Sequence, residues 1–599
     1  MIYTQRGLDW AMDFIDRINA DPSKYVMYKQ SRPIANLKHM MVTTVDLYPG
    51  NTAFMMKFPG DKTYTSITFA QVLEEMNALG TALIARGLKG KRIAVCGENC
   101  YYWCLSYLAA VNGVGVVVPL DKELPDADLK GLATAAECAC VLTTKKHMEA
   151  FRGMLENHEG SVEYVVGMYT ETGGDGSVLS LKDLIEEGKK LIAEGDRSYI
   201  DAQIDEEAMG ILLYTSGTTG LSKGVMLSHK NICADLMSSP NLLEVKPTDI
   251  FFNVLPLHHT YACTCDFLMP MYKGTCVAFC EGLKYIQKNL KEVQPTFFLG
   301  VPAIFESLYK AINKNIKKQG KEKTVAKVLK INRFTKKIGL DLVPKFMGQI
   351  LDVFGGRMKT IIAGGAAMDP VITNFFLDLG FKAVQGYGLT ECSPIAALNP
   401  DKREMANPAA AGRVLPNTQA KIVDAGEDGN GEICIKGDHV MLGYYQMPEQ
   451  TAEVLVDGWY HTGDLGYIDE NDFIFITGRK KNVIITANGK NVYPEELEYK
   501  LSLSPYVAES MVWAAEDEQG HDSSIVATII PDKEEVENVL GKDAPADKVL
   551  ELLQGEVNKL NDQEPLFKQI RRVVLRTEPF VKNTSAKIKR FEADNKRLN

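Results

Sequence analysis

The chain of 599 residues lacks several features that would assign it to a broad class at once. No apolar run approaches the ~18 residues of a membrane span. The 12 cysteines contain no C-x-x-C spacing; Cys138/Cys140 and Cys263/Cys265 are each separated by one residue, so no metal-ligand pattern emerges. Positive charge is in deficit, with 67 Lys and Arg against 77 Asp and Glu and a net charge of -10. That excludes a general nucleic-acid binder and requires any nucleotide site to be locally positive within an acidic protein. There is no internal repeat and no low-complexity tract. The first residues mix Arg6, Asp9 and Trp10 too early for an apolar secretory core, so the expectation is a cytoplasmic protein with reduced thiols.

What is present is ordinary globular material, 45% hydrophobic and 24% charged, long enough for several domains. Residues 92–143 alternate between strand and helix patterns. Strands are expected at Arg92 to Cys96, Val114 to Pro119 and Ala139 to Thr143, and helices at Tyr101 to Val111 and Asp126 to Thr134. Such βαβαβ texture favours a parallel sheet. It recurs in strands at Thr296 to Leu299, Thr360 to Ala363 and Ala383 to Gln385, with helices at Pro302 to Ile316 and Pro370 to Leu379. Asn313 to Lys345 is Lys-rich and helical. It reads as a solvated insertion or, more sharply, as a basic face for peripheral membrane contact. From about Val414 the texture changes to short strands with turn signals at Asp428-Gly429, Asn430-Gly431, Asp457-Gly458 and Asn488-Gly489. A boundary near Gly478 precedes a compact α+β unit, with strands near Ser510–Ala514, Ser524–Ile530 and Arg572–Arg576 and a helix near Pro545–Leu560.

The segment Tyr214-Thr215-Ser216-Gly217-Thr218-Thr219-Gly220-Leu221-Ser222-Lys223-Gly224 lies between the apolar runs Ile211–Leu213 and Val225–Leu227. It reads as strand, loop, strand. Glycines let backbone N–H groups converge, hydroxyls add donors and Lys223 adds a mobile point charge, which suits a polyphosphate. It is not a Walker loop, because Ser222 precedes the lysine and Gly224 follows it. Taken alone, it is also compatible with a plain surface loop.

Other segments carry chemistry-capable side chains: Leu255-Pro256-Leu257-His258-His259, Ala363-Gly364-Gly365-Ala366, Gly386-Tyr387-Gly388-Leu389-Thr390-Glu391, Tyr460-His461-Thr462-Gly463-Asp464, Gly478-Arg479-Lys480-Lys481 and Lys582 to Arg590. In this order, and together with the Ser/Thr/Gly loop, they resemble the motifs of the adenylate-forming superfamily: acyl-CoA synthetases, adenylation domains of peptide synthetases, and luciferases. The resemblance runs from about Ala53 to Arg590. Gly282 to Tyr309 and the helical insertion after it resemble the long-chain fatty acyl-CoA synthetase branch.

The resemblance implies an α/β protein. Its large N-terminal domain, residues 1–478, would have mainly parallel sheets flanked by helices plus a distorted β-barrel-like subdomain. A small mobile α+β C-terminal domain, residues 479–599, would carry the catalytic lysine. The activity implied has two steps: a fatty acid, long-chain in that branch, attacks the α-phosphate of ATP to give acyl-AMP and pyrophosphate, and coenzyme A then takes the acyl group and releases AMP. By the same resemblance Thr215, Ser216, Gly217, Thr218, Thr219, Gly220 and Lys223 hold the β- and γ-phosphates, and Glu391 with Thr215 holds Mg²⁺. Tyr387, followed by Gly388, stacks on adenine beside Gly364, Gly365 and Ala366, and Thr390 meets the α-phosphate. Asp464 and Arg479 face the ribose. Lys587 is the catalytic lysine, preceded by Ala586 where the superfamily usually has glycine, with Lys582 and Lys589 as fallbacks. Lys481 is the hinge and Gly489 lines the pantetheine path. His259, next to His258, lies near the substrate carboxylate, and Ala262 replaces a usual glycine in a way that would reshape the acyl pocket.

Several of these residues also have plain structural readings: Asp464 as a turn cap, Arg479 in a salt bridge, Tyr387 as a buried tyrosine, Lys481 as a surface lysine. Alternative functions are a ligase for a medium-chain or aromatic acid, an acyl-AMP ligase delivering to a carrier protein, and a silent binding module. Oligomeric state is not legible in the chain.

Overall fold

The computed structural model of the chain describes residues 2–20, 26–170, 178–215, 222–335, 343, 347–427, 429–486, 490–516, 522–582 and 588–597. Among the described residues the strands gather into two large sheets, one of eight and one of 14 strands, and two small ones.

The eight-stranded sheet has the spatial order Gly443–Tyr444, Lys223–Ser228, Met209–Thr215, Val116–Leu120, Arg92–Cys96, Cys138–Thr143, Tyr164–Gly167, Val178–Ser180. From Met209–Thr215 onward its pairs are parallel. The expected βαβαβ segment is here, and the helices Tyr101–Ala109 and Asp126–Ala135 supply the crossovers. Every residue of Cys138–Thr143 is buried, as a parallel strand covered on both faces requires. The chain goes from Arg92–Cys96 first to Val116–Leu120 on one side, then to Cys138–Thr143 on the other, so the order reverses at the centre of this sheet.

The larger sheet is parallel through Thr52–Met56, Cys276–Phe279, Ile250–Asn253, Phe297–Gly300, Thr360–Ala363 and Lys382–Gly388. It continues antiparallel through Ile395–Leu398, Gly412–Val414, Phe473–Arg479, Trp459–Ile468, Gly431–Lys436 and Gln419–Val423. The short strands expected from about Val414 therefore form an open extension of this sheet, with no closed barrel among the described residues. Gly412–Val414 pairs with Ile395–Leu398 and joins the antiparallel strands to the parallel ones, and no described strand closes the far end at Gln419–Val423. The main apolar core spans both large sheets. Trp103 stacks on Tyr107 at 5.7 Å between ring centroids, and Phe267 meets Tyr107 edge-on at 5.8 Å.

The expected α+β unit is a three-stranded sheet of Val507–Glu516, Asp522–Pro531 and Arg572–Leu575, packed with Pro494–Ser502 and Ala546–Asn561 around its own core of Leu497, Val512, Ile529, Leu553 and Val557. The described part of the Lys-rich region up to Thr335 lies in and between the helices Pro302–Lys318 and Glu322–Thr335, and residues 336–342 and 344–346 lie outside the described residues. No helix among the described residues is long and apolar enough to cross a membrane.

Candidate active site

Parallel strands end in exposed carboxyl termini, and ligands of α/β sheets collect there. Here the strand ends of both large sheets converge on one cavity of about 1970 Å³. Met209–Thr215 contributes Thr215, and the loop after Ile250–Asn253 contributes His258 and His259. Gly364, Gly365 and Ala366 follow Thr360–Ala363, and Gly386, Tyr387, Gly388, Thr390 and Glu391 lie at the end of Lys382–Gly388 and just beyond it. From the antiparallel extension come Thr462, Gly463, Arg479, Lys480 and Lys481.

Asp464 is the centre of one polar cluster. Its partner across the strands Trp459–Ile468 and Phe473–Arg479 is Arg479, whose Nε lies 2.8 Å from Oδ1. The Tyr387 hydroxyl donates to Oδ2 at 2.7 Å, and the Asp464 amide donates to Thr462 Oγ1 at 3.0 Å. Burial, then Asp464, pushes the Tyr387 phenol well above its ordinary value. Burial works to lower the Arg479 guanidinium, but Asp464, the Tyr387 and Tyr460 phenols and Glu391 outweigh it, so its pKa is held above the usual value. The salt-bridge reading of Arg479 is thus realised at the edge of a cavity, while the hydrogen bond at the turn is accepted by the Thr462 hydroxyl.

Glu391 sits in the short helical turn Thr390–Cys392 and accepts a hydrogen bond from the Tyr444 hydroxyl at 2.9 Å. Lys223 Nζ lies 4.5 Å from the centre of the same tyrosine ring. The pairing of Gly443–Tyr444 with Lys223–Ser228 makes this meeting possible. Lys481 is pushed down to about 8 by burial, and next by the positive charge of Arg479. Beside it Lys480 Nζ is 2.9 Å from Glu432 Oε2, and Glu432 Oε1 accepts the Gly463 amide at 3.0 Å. The result is a set of cations, Lys223, Arg479 and Lys481, around one opening in an acidic protein. Such a set fits a polyanion.

Gly364 has a specific steric role. A Cβ there would lie 2.7 Å from Cζ of Tyr261, whose hydroxyl donates to Ile362 O at 3.1 Å. The space left by this glycine is therefore occupied by Tyr261. The His258 and His259 rings lie 4.2 Å apart between centroids, tilted by 46°, and Ala262 opens the π-helix Ala262–Leu268 on the cavity wall. The wall beyond is apolar, with Leu243, Phe251, Met269, Leu299, Ile362 and Leu398.

The structure thus brings together Thr215, Lys223, His259, Gly364, Gly365, Ala366, Tyr387, Gly388, Thr390, Glu391, Arg479 and Lys481 on one cavity, with Asp464 directly behind. Ser216, Gly217, Thr218, Thr219, Gly220, Gly489 and Lys587 lie outside the described residues. The fallback lysines do not reach the site: Lys582 Nζ pairs with Glu509 at 2.7 Å, and neither it nor Lys589 lines the cavity. Arg479 is the last residue of its strand, and the turn Lys480–Asn482 follows. Sequence reasoning missed Tyr444, Tyr261 and Glu432. Their roles arise from strand pairing and loop return across long stretches of chain, and no local pattern announces them.

A family model described as AMP-binding enzyme matches residues 42–445, more than half of the chain. Long chain acyl-CoA synthetase 1 of Arabidopsis thaliana is 29% identical over 563 residues, covering 86% of this chain and 83% of that protein. Two solved structures share the fold. The anthranilate CoA ligase AuaEII in complex with anthranoyl-AMP has a TM-score of 0.72 at 19% identity, over 93% of this chain and 96% of that one. ATP-bound MatB from Rhodopseudomonas palustris has a TM-score of 0.70 at 25% identity, over 92% and 97%.

Proposed function

The chain belongs to the AMP-binding enzyme family, and from that premise we propose that it is an AMP-forming acyl-CoA ligase whose acid is a long-chain fatty acid. The observation that carries this reading is the joining of two chemistries in one cavity. The cation and Asp464 cluster suits a nucleotide, and the apolar wall of Leu243, Phe251, Met269, Leu299, Ile362 and Leu398 suits an acyl chain. Drug-sized ligands occupy roughly 300–1,000 Å³, whereas this cavity measures about 1970 Å³ and has room for both. The similarity to a plant long chain acyl-CoA synthetase supports the same substrate class.

In the first step a carboxylate anion approaches a polyanion, so neutralising charge is the main task. Lys223 and the loop Thr215 to Gly220 would hold the β- and γ-phosphates, and Thr390 the α-phosphate. Asp464 and Arg479 would hold the ribose, and Tyr387 the adenine beside Gly364, Gly365 and Ala366. His259 would sit at the acid's carboxylate. Lys587 would bridge carboxylate and phosphate, on the strength of its motif. Glu391 and Thr215 fit Mg²⁺: they offer hard oxygen donors, and no described cluster of three or more His, Cys, Asp or Glu side chains competes for a softer metal. When bound, that ion screens the phosphate charge. Residues 479–599 would move about the turn Lys480–Asn482 with Lys481 as hinge, taking Lys587 away and bringing Gly489 to the pantetheine path.

The test is ATP-dependent pyrophosphate release across acids from acetate through long-chain fatty acids to coumarate, with and without coenzyme A. Turnover should peak with long-chain acids and require coenzyme A. A peak at an aromatic or medium-chain acid would overturn the chain-length assignment. Acyl-AMP accumulating with no response to coenzyme A would point to delivery onto a carrier protein.

A further inference from the structure

The thioester step has a requirement that the nucleotide cluster does not meet. A thiol of pKa about 8.5 is mostly protonated at neutral pH, and the thiolate is the nucleophile. Three described histidines line the cavity: His258, His259 and His461. His461 is drawn to Glu432 at 3.3 Å, beside the turn that carries Lys480. His259 is taken by the acid's carboxylate. His258 has no role yet, and its surroundings are built.

The loop carrying His258 is clamped by the central strands of the other sheet. Asn99, just past Arg92–Cys96, donates to Asn253 Oδ1 at 2.7 Å and to Leu255 O at 2.6 Å, and accepts the Leu257 amide at 3.1 Å. Asp121, just past Val116–Leu120, places Oδ1 at 3.4 Å from His258 Nε2. Arg92–Cys96 is also one side of the reversal of strand order, which lies between it and Cys138–Thr143. The Asp121 loop is itself held. Asp121 Oδ1 accepts the Glu123 amide at 2.9 Å, Lys146 Nζ donates to Lys122 O at 2.8 Å, and His147 Nε2 lies 2.7 Å from the same carbonyl. The His258 side chain is 10% exposed, and its Nε2 is buried without an aligned hydrogen bond, Asp121 being within contact distance. The titratable groups beside it are Asp121 and the His259 ring, and Glu98, Lys122 and Glu123 also line the cavity.

Resting on the ligase reading above, we infer that His258 is the general base for the coenzyme A thiol and that Asp121 is its positioning residue. Asp121, 3.4 Å from Nε2, stabilises the imidazolium by its charge. Nδ1, the other ring nitrogen, takes the S–H proton as sulfur attacks the acyl carbonyl. The carbon–oxygen bond to the phosphate breaks, AMP leaves with that electron pair, and the imidazolium returns its proton to water. A bare structural brace, an ion pair that only stiffens the loop, is the competing role for the same geometry.

The experiment supplies acyl-AMP to the full chain, adds coenzyme A and follows a single turnover from about pH 6 to pH 9. A positioned base contributes roughly 10²–10⁴-fold. His258→Ala should lose that factor near neutral pH and recover toward alkaline pH, climbing about tenfold per pH unit until the thiol ionises itself. The wild type should level off earlier. Asp121→Asn should show a smaller loss of the same pH form, and added imidazole should partly restore His258→Ala. Acid-dependent ATP–pyrophosphate exchange is the control, and it should change far less than the thioester step. Equal slowing of both half-reactions with an unchanged pH profile, or absence of imidazole rescue, would overturn the assignment and leave the pair as a brace. Wild-type protein that exchanges pyrophosphate with none of the acids would instead overturn the ligase reading.

Discussion

Tyr444 holds Glu391 with a 2.9 Å hydrogen bond while its ring faces Lys223, so one side chain sets both an anion and a cation. Tyr444→Phe removes only the hydroxyl. A hydrogen bond to a charged group is worth about 1.5–3 kcal/mol, so kcat/KM for ATP should fall by tenfold or more; no change in pyrophosphate-release kinetics would place Glu391 away from the nucleotide. Lys481, at about 8, gives a second residue-scale expectation. Near pH 8 it is about half protonated in the free protein. A bound phosphate favours the charged form, so nucleotide binding should take up a proton near pH 8 and little at pH 6.5. Calorimetry in buffers of different ionisation enthalpy reads this directly, and Lys481→Gln should abolish it. The stability sign is separate. Lys481 titrates lower in the folded chain than its ordinary 10.5, so folding binds fewer protons between those values. Its unfavourable contribution is present below about pH 8 and is relieved as pH rises through that window.

At the scale of elements, the π-helix Ala262–Leu268 and the loop after Thr360–Ala363 are locked through Tyr261 and Gly364. Gly364→Ala puts a methyl carbon 2.7 Å from the Tyr261 ring, whose hydroxyl is anchored on Ile362. Overpacking of this kind costs about 1–3 kcal/mol. The first thermal transition should fall, and KM for both ATP and acid should rise together, because the loop and the π-helix share the cavity wall. A rise in KM for ATP alone would mean that the glycine serves only the nucleotide.

At the scale of the whole molecule, the helix Pro302–Lys318 reaches the C-terminal unit through Lys310–Asp532 at 3.4 Å and Lys314–Glu534 at 2.8 Å. These pairs are largely exposed and each is worth about 0–1 kcal/mol. They bias the placement of the C-terminal unit without locking it. Charge reversal of Lys310 and Lys314 together should shift the balance between adenylation and thioester formation by no more than about tenfold, and about 0.5 M salt should erase the difference. A shift that persists in high salt would mean that packing, and not charge, carries the contact.

Read alone, the chain carries what is encoded among neighbours. The alternation of apolar strand and helix segments places Arg92–Cys96 and Thr360–Ala363 at their observed bounds. Asp457-Gly458 makes its turn with φ of 52 and 77 degrees, as that dipeptide suggests. Lys223, Glu391, Asp464 and Arg479 stand out in the chain through the resemblance of their short motifs to the adenylate-forming superfamily, and the fold brings Lys223, Glu391 and Arg479 onto one cavity with Asp464 behind. Three things came only from the folded arrangement: the antiparallel strands stay an open continuation of the larger sheet, Tyr444 joins Glu391 to Lys223, and Asp121 faces His258. Each depends on which strands lie side by side. That order is set by long-range burial of apolar faces, and so no short window of sequence contains it.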